Sequence, residues 1–417
     1  MAVWQIRGGN RLAGSVRAQG AKNAVLPIMA ASILSGCRTE LLNCPRLSDV
    51  DAAADILRSL GCSVKREDDI INIDSESICS CAVSDELMRE MRSSVLFLGA
   101  VLARCGSAEL SLPGGCELGP RPIDLHLDAL RALGAEIHTD GGRISCRGKE
   151  LRGAEIVFPT VSVGATENAM IAACGAKGRT VIRNAAREPE IVDLQKYLSR
   201  LGARIYGAGT SVITIDGFVP EKAVGHRIMP DRIEAATFMC AAASAGGDVE
   251  ILGAGPENFS AVTDVLSSMG CDIHIGNGNV RIKANDRLGG GHTVSTQPYP
   301  GFPTDAQPLL MAACLKSTGD TVFRENIFEN RFRHVEALRR FGGDISAEGR
   351  TAVVRGVAEL HGSSAVTTDL RGGAAMVIAV LGAQGCSEII DHGHIDRGYD
   401  GLDIKLSGLG ADIQKIV

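Results

Sequence analysis

Six short phrases punctuate the 417-residue chain at a nearly constant interval: SLGCSV, ALGAEI, RLGARI, SMGCDI, RFGGDI and GLGADI. Their glycines, Gly61, Gly134, Gly202, Gly270, Gly342 and Gly410, are separated by 73, 68, 68, 72 and 68 residues. Each follows a stretch of helical period and precedes an alternating run. A helix that stops on a left-handed residue before a strand has this pattern. A period of roughly seventy residues that recurs six times makes the chain a set of copies of one supersecondary unit.

Within each unit a second helix is alanine-rich and apolar nearly all round: NAVLPIMAASIL, SSVLFLGAVLA, ENAMIAACGA, EAATFMCAAA, AQPLLMAACL and GAAMVIAVLGA. A helix without a polar face belongs in an interior. The strand segments INID, VITID and VRIK alternate instead, as sheets wet on one side do. The pattern predicts an α/β fold, an inside-out α/β barrel. Two domains each hold three repeated units, with buried parallel helices and outer sheets. The last unit ends seven residues after its glycine and lacks a strand pair, whereas VWQIRGGNRLAGSVRAQ at the start has that pattern. Residues 1–21 are therefore expected to join 230–417, leaving 22–229 as the other domain, with an active site in the cleft between them.

Composition narrows the function. Hydrophobic residues make up 45% and charged ones 22%, while aromatics are only 4%, so the core is built from Ala, Val, Ile and Leu. A net charge of −6 argues against nucleic acid as a partner, so any anionic ligand must be drawn by local cations. No apolar run has membrane-spanning length, and the first residues lack a signal pattern, so no membrane partner and a cytoplasmic location are expected. The 13 cysteines include no CxxC pair and are expected to be reduced thiols. Cys174, Cys240 and Cys314 lie inside apolar helices and suit core packing. Cys116 is different, because it sits in the Gly/Pro-rich loop at about 110–124.

Parallel buried helices bring their amino ends to one side. Those ends carry Lys22-Asn23, Arg92-Ser93, Val163-Gly164, Asp231-Arg232, Thr304-Asp305 and Asp369-Leu370-Arg371. Helix amino termini attract anions, and the added cations strengthen that field. The second-helix entries supply Arg121, Arg187, Arg331 and Arg397 at equivalent loops, where a planar fork suits phosphate or carboxylate. His392, His394 and Asp396 resemble a metal cluster, but no further ligands gather near them, so no metal is expected. Gly253 and Gly255 leave a dinucleotide fingerprint incomplete, and no P-loop occurs, so no cofactor is expected. The run RFRHVEALRR reads as a solvated helix face apart from Arg331.

GAKNAVLPIMAA, LPGGCELGPRPIDLH, VSVGAT, NAAREPEIVDL, FPTDAQ, ENRFRHV, TDLRGGAA and HIDRGYDG closely resemble the enolpyruvyl transferase family. Within it they are most similar to the UDP-N-acetylglucosamine 1-carboxyvinyltransferases. The resemblance runs from residue 20 to about 405. It implies phosphoenolpyruvate and UDP-N-acetylglucosamine as substrates, the first committed step of peptidoglycan synthesis, and inhibition by the epoxide fosfomycin. Lys22, Asn23, Arg121, Arg331, Arg371 and Arg397 would serve phosphoenolpyruvate. Arg92, Arg121, Pro122, Ile123, Asp124, Leu125, Thr160, Val161, Ser162, Val163, Asp305 and Ile327 would line the nucleotide sugar. Asp305 would be the base and Cys116 the proton donor, with Lys22 and Arg397 also catalytic. Cys116 would form a cysteinyl adduct with phosphoenolpyruvate, and Asp369 would complete the cleft. Thr160 stands where some relatives carry lysine, and Asp400 where Glu is common. A monomer is expected. The alternatives are 3-phosphoshikimate 1-carboxyvinyltransferase and a non-catalytic UDP-sugar-binding paralogue.

Overall fold

All six apolar segments are helical in the computed structural model, which describes residues 1–111, 123–218, 222–285 and 287–416. They are α1 (Lys22–Ala31), α2 (Leu96–Cys105), α3 (Val163–Cys174), α4 (Arg232–Ala245), α5 (Gln307–Ala313) and α6 (Leu370–Leu381). In α4 every residue from Arg232 to Ser244 is buried, and in α6 every residue from Arg371 to Leu381. Covering these side chains drives folding, since each fully buried Leu, Ile, Val or Phe stabilises by about 1.5–3 kcal/mol. Small residues let the helices approach closely. A Cβ on Gly175 would lie 2.8 Å from the Ala103 methyl, and one on Gly382 would lie 2.5 Å from Ser244 Oγ. Cys174, Cys240 and Cys314 are core residues, and burial pushes the Cys314 thiol up to about 12.

Among the described residues the chain divides into two compact units. One takes 1–19 and everything from 230 onward, and the other takes 20–229. The division falls two residues before the expected boundary at Lys22, because Ala21 N–H donates to Met229 O at 2.8 Å and ties that turn to the second unit. Helices α1, α2 and α3 pack on one another in the 20–229 unit, and α4, α5 and α6 do so in the other. Each trio has its own apolar cluster.

Among the described residues, five four-stranded sheets and one three-stranded sheet cover these helices. The strands Val224–Arg227 and Arg38–Leu42 pair in parallel inside the 20–229 unit. In the other unit Leu12–Arg17 pairs in parallel with Gly247–Leu252, and Ala2–Arg7 lies antiparallel between Cys386–Asp391 and Asp412–Ile416. The opening segment thus supplies the two strands that follow the last repeat. The three-stranded sheet belongs to the second repeat, where the helix Asp85–Glu90 and a single bridge from Ala82 to Glu109 stand where the other sheets have a fourth strand.

The repeat glycines close the outer helices Ser48–Ser59, Asp124–Ala132, Pro189–Leu201, Ser260–Ser268, Val335–Arg340 and Leu402–Gly408. All six are left-handed, with φ of 101, 92, 115, 97, 92 and 97° in chain order. The residue after each glycine donates its N–H to the carbonyl of a leucine five positions earlier, Leu57, Leu130, Leu198, Leu266, Leu338 or Leu406, at 3.0–3.2 Å. One helix stop has been copied six times, with the leucine buried beneath it. Gly270→Ala meets no neighbouring atom, so it should lose only the left-handed penalty, about 1–2 kcal/mol. Gly61→Ala should lose more, because its Cβ would lie 2.8 Å from Cys79 Sγ. Urea unfolding of the two variants checks this order, and a neutral Gly270→Ala would remove the conformational argument.

Candidate active site

In the unit containing α4, α5 and α6, the three buried helices meet at their amino ends. Asp231 caps α4 through Ile233 N–H at 2.8 Å and Glu234 N–H at 3.1 Å. Asp369 caps α6 through the N–H groups of Arg371 and Gly372, each at 3.0 Å. Asp305 lies just ahead of α5, which starts two residues after it at Gln307. Arg371, in the first turn of α6, reaches Asp305 Oδ2 with Nε at 3.2 Å and Nη2 at 3.1 Å. Arg331 Nη2 holds Oδ1 at 2.9 Å and also donates to Thr304 O. Asp231 acts on the charges of both Arg371 and Tyr399, so all three amino ends share one electrostatic field.

Two buried guanidinium groups therefore pair with Asp305 and fix its plane, while 29% of its side chain stays exposed. Arg331 and Arg371 spend donors on this carboxylate, a duty the sequence did not disclose. Arg371 Nη1 also donates to Tyr399 Oη at 3.1 Å. Thr237 Oγ1 donates to Ile233 O at 2.8 Å, so it accepts from the Tyr399 hydroxyl 2.9 Å away. The chain of bonds pins Arg371 from behind. Behind Arg331, His334 donates Nδ1–H to Arg331 O at 3.1 Å. His334 is fully buried, so RFRHVEALRR is not a solvated face on that side; only Arg333, Glu336, Arg339 and Arg340 point outward.

A second carboxylate shapes the same region. Glu325, 1% exposed, accepts from Thr296 Oγ1 at 2.9 Å, Ile327 N–H at 2.8 Å and Phe328 N–H at 3.0 Å through Oε1. Its Oε2 accepts from Thr304 Oγ1 at 3.0 Å. It fixes the Ile327 turn, where that side chain is held exposed, together with the residue before Asp305. In the next repeat, Asp391 takes Thr367 and the N–H groups of His394 and Ile395 in the same way. His394 and Asp396 have separate partners, Thr367 and Lys415. Arg397 ends the short turn Ile395–Arg397 and is half-buried.

In the 20–229 unit, Lys22 opens α1 and pairs with Asp49 on the helix Ser48–Ser59, both nearly buried. Asn23 beside it is exposed. Ser162 caps α3 by accepting from Ala165 N–H at 3.3 Å, and Thr160 and Val161 lie exposed before it. Ile123 and Leu125 are half-buried and Asp124 exposed at the start of Asp124–Ala132. Glu167 is buried on α3, and burial, then the charges of Glu190 and Glu188, hold its carboxyl well above the usual range. Cys116, Arg121 and Pro122 lie outside the described residues, as does the side chain of Arg92; the backbone turn Arg92–Val95 leads into α2.

A family profile described as EPSP synthase (3-phosphoshikimate 1-carboxyvinyltransferase) matches residues 6–406. A protein named UDP-N-acetylglucosamine 1-carboxyvinyltransferase 2, from Caldanaerobacter subterraneus subsp. tengcongensis, is 46% identical over 417 residues, covering 100% of both chains. The chain belongs to the enolpyruvyl transferase family. A UDP-N-acetylglucosamine 1-carboxyvinyltransferase from Trichlorobacter lovleyi is 47% identical over 99% of this chain and 98% of its own. Among solved structures, the enolpyruvyl transferase NikO from Streptomyces tendae superposes with a TM-score of 0.88 at 24% identity, covering 99% of this chain and 98% of that one. EPSP synthase from Acinetobacter baumannii reaches 0.75 at 20% identity, covering 100% of each. The inside-out α/β fold read from the repeats is the enolpyruvyl transferase fold.

Sequence reasoning about this enolpyruvyl transferase missed Asp49, Glu325, His334 and Tyr399. The pairings of Thr296 with Glu325 and of Thr367 with Asp391 are visible only once repeats five and six are aligned. Two histidines make a pH test available. Burial first of all pulls both His126 and His334 down to about 4, below the 6.5 of an unfolded histidine. The unfolded chain takes up these protons first, so the stability they contribute is full above pH 6.5 and is lost as pH falls toward 4. Urea midpoints should therefore drop between pH 7 and pH 5, and the histidine NMR signals should show both rings neutral at pH 6.

Proposed function

We propose that this chain transfers the enolpyruvyl group of phosphoenolpyruvate to the 3-hydroxyl of UDP-N-acetylglucosamine, releasing phosphate, as the committed step of peptidoglycan synthesis. The observation that carries the reading is identity of 46–47% along the whole chain with proteins of that name. The chemistry is addition followed by elimination. The sugar oxygen bonds to C2 of phosphoenolpyruvate, its proton passes to a base, and C3 gains a proton from an acid. C3 then loses a proton as the C2–O bond to phosphate breaks, restoring the double bond.

Asp305 is the base in this reading. A carboxylate held by two guanidinium groups is a weak proton acceptor, so it must yield one of those bonds when the sugar hydroxyl arrives. The same arginines are then freed to stabilise charge on phosphoenolpyruvate and the adduct, a role for preset cations. Lys22, Asn23, Arg121 and Arg397 bind phosphoenolpyruvate. Arg92, the segment from Arg121 to Leu125, Thr160 to Val163 and Ile327 bind the nucleotide sugar. Cys116 donates the proton to C3, and as a thiolate among cations it also attacks C2 of phosphoenolpyruvate or opens the fosfomycin epoxide. Each unit contributes residues to the reaction, in a cytoplasmic monomer that uses neither metal nor cofactor.

The description of the family profile favours a second reading, with 3-phosphoshikimate as acceptor. Phosphate release decides between them: it should appear with phosphoenolpyruvate and UDP-N-acetylglucosamine and be absent with shikimate 3-phosphate. The opposite result would replace the acceptor. Cys116→Ser should lose turnover and fosfomycin inactivation. Asp305→Ala should still bind the nucleotide sugar while turning over about 10²–10⁴-fold more slowly; normal turnover would remove the base assignment.

A further inference from the structure

Asn168 is a fully buried polar residue on the apolar helix α3. Its Oδ1 accepts from Gly99 N–H at 2.8 Å, and its Nδ2 donates to Val95 O at 3.2 Å. Those two backbone groups are four residues apart, the pair that a continuous helical ladder would join. The amide thus sits at the start of α2, where the turn Arg92–Val95 passes into the helix. Gly99 makes room for it, since a Cβ there would overlap Asn168 Oδ1.

An N–H only donates and a carbonyl only accepts, so the orientation of this amide is fixed from both ends. The second Nδ2 hydrogen then points at His126 Nδ1, 3.1 Å away. That nitrogen must accept, and the ring proton of the neutral imidazole must sit on Nε2. Nε2 lies against Gly164, the second residue of α3: a Cβ on Gly164 would be 3.4 Å from it. His126 is 8% exposed, and its Nε2 has no hydrogen-bond partner among the described residues. This donor therefore lies at the amino end of α3, where Ser162 takes the Ala165 N–H and the first N–H groups, which have no partner within the helix, suit an anion.

We infer that Asn168 is a positioning residue that holds His126 as an Nε2–H donor for a diphosphate oxygen of the nucleotide sugar. The inference rests on the nucleotide-sugar reading above. It explains why an asparagine is fully buried on a helix packed into the core. Asn168 ties the turn that begins at Arg92 to the ring of His126 and to the amino end of α3, so one amide sets three parts of the pocket.

The test uses UDP and uridine as probes in titration calorimetry, with ¹⁵N-labelled histidine NMR on the same protein. The wild-type spectrum at pH 7 should show His126 protonated at Nε2 and bare at Nδ1; an Nδ1–H ring or an imidazolium overturns the inference. His126→Phe should bind UDP about tenfold more weakly and uridine unchanged, as the loss of one bond to a charged oxygen predicts. His126→Gln keeps a donor and should stay within about threefold. UDP affinity that is equal in these two variants overturns the donor role. Asn168→Ala should populate both tautomers and weaken UDP alone, whereas wild-type UDP affinity there removes the positioning role. If Asn168→Ala fails to fold, the wild-type spectrum and the His126 pair still decide. A wild-type protein that binds neither probe sinks the nucleotide-sugar reading itself, which separates the two failures.

Discussion

A helix with no polar face persists in water only when every side of it is covered, and six such helices dictate the rest of this molecule. Three rods packed side by side leave only their ends for polar chemistry. Sheets with one wet face and outer helices with one apolar stripe are the cheapest cover, and a left-handed glycine turns the chain from one to the other six times. The amino ends, whose first N–H groups lack partners within the helix and carry partial positive charge, are where the core presents polar groups.

That concentration explains how Asp305 is held. An acid ahead of a helix start would be an ordinary cap, but Arg331 and Arg371 reach it from two further elements and Tyr399 braces Arg371 from behind. The plane of the carboxylate is fixed by partners within the protein, an arrangement of the preorganised kind. Glu325 does comparable work on backbone, anchoring Ile327 and Thr304 with one buried group. Asp391 repeats the arrangement one unit later, so the site is built from parts the repeat already carried.

The fold was largely legible because it is periodic. Glycine spacing, faceless helices and alternating strands each recur, so one unit vouches for the next, and the cations at helix starts could be found by position alone. The exception in the second repeat came from its missing fourth strand, which sequence alternation around Ala82 does not announce. The supporting groups were harder to see. Asp49, Glu325, Asn168 and Tyr399 are single buried polar residues whose side-chain partners lie 21 to 162 positions away, and no local pattern marks a hydrogen bond across that distance. His334 was hidden in a basic run because a helix face there holds one inward position among several outward ones.

The exchanged strands have a consequence for biosynthesis. The 20–229 unit has all its strands once the ribosome has passed Arg227, and it can close on itself while the remainder is still being made. The other unit needs Ala2–Arg7 to lie beside Asp412–Ile416, its first strand against its last. Ala2–Arg7 thus finds its partner strands only after Cys386–Asp391 and Asp412–Ile416 have been made, and it must stay unpaired while the chain between them is translated.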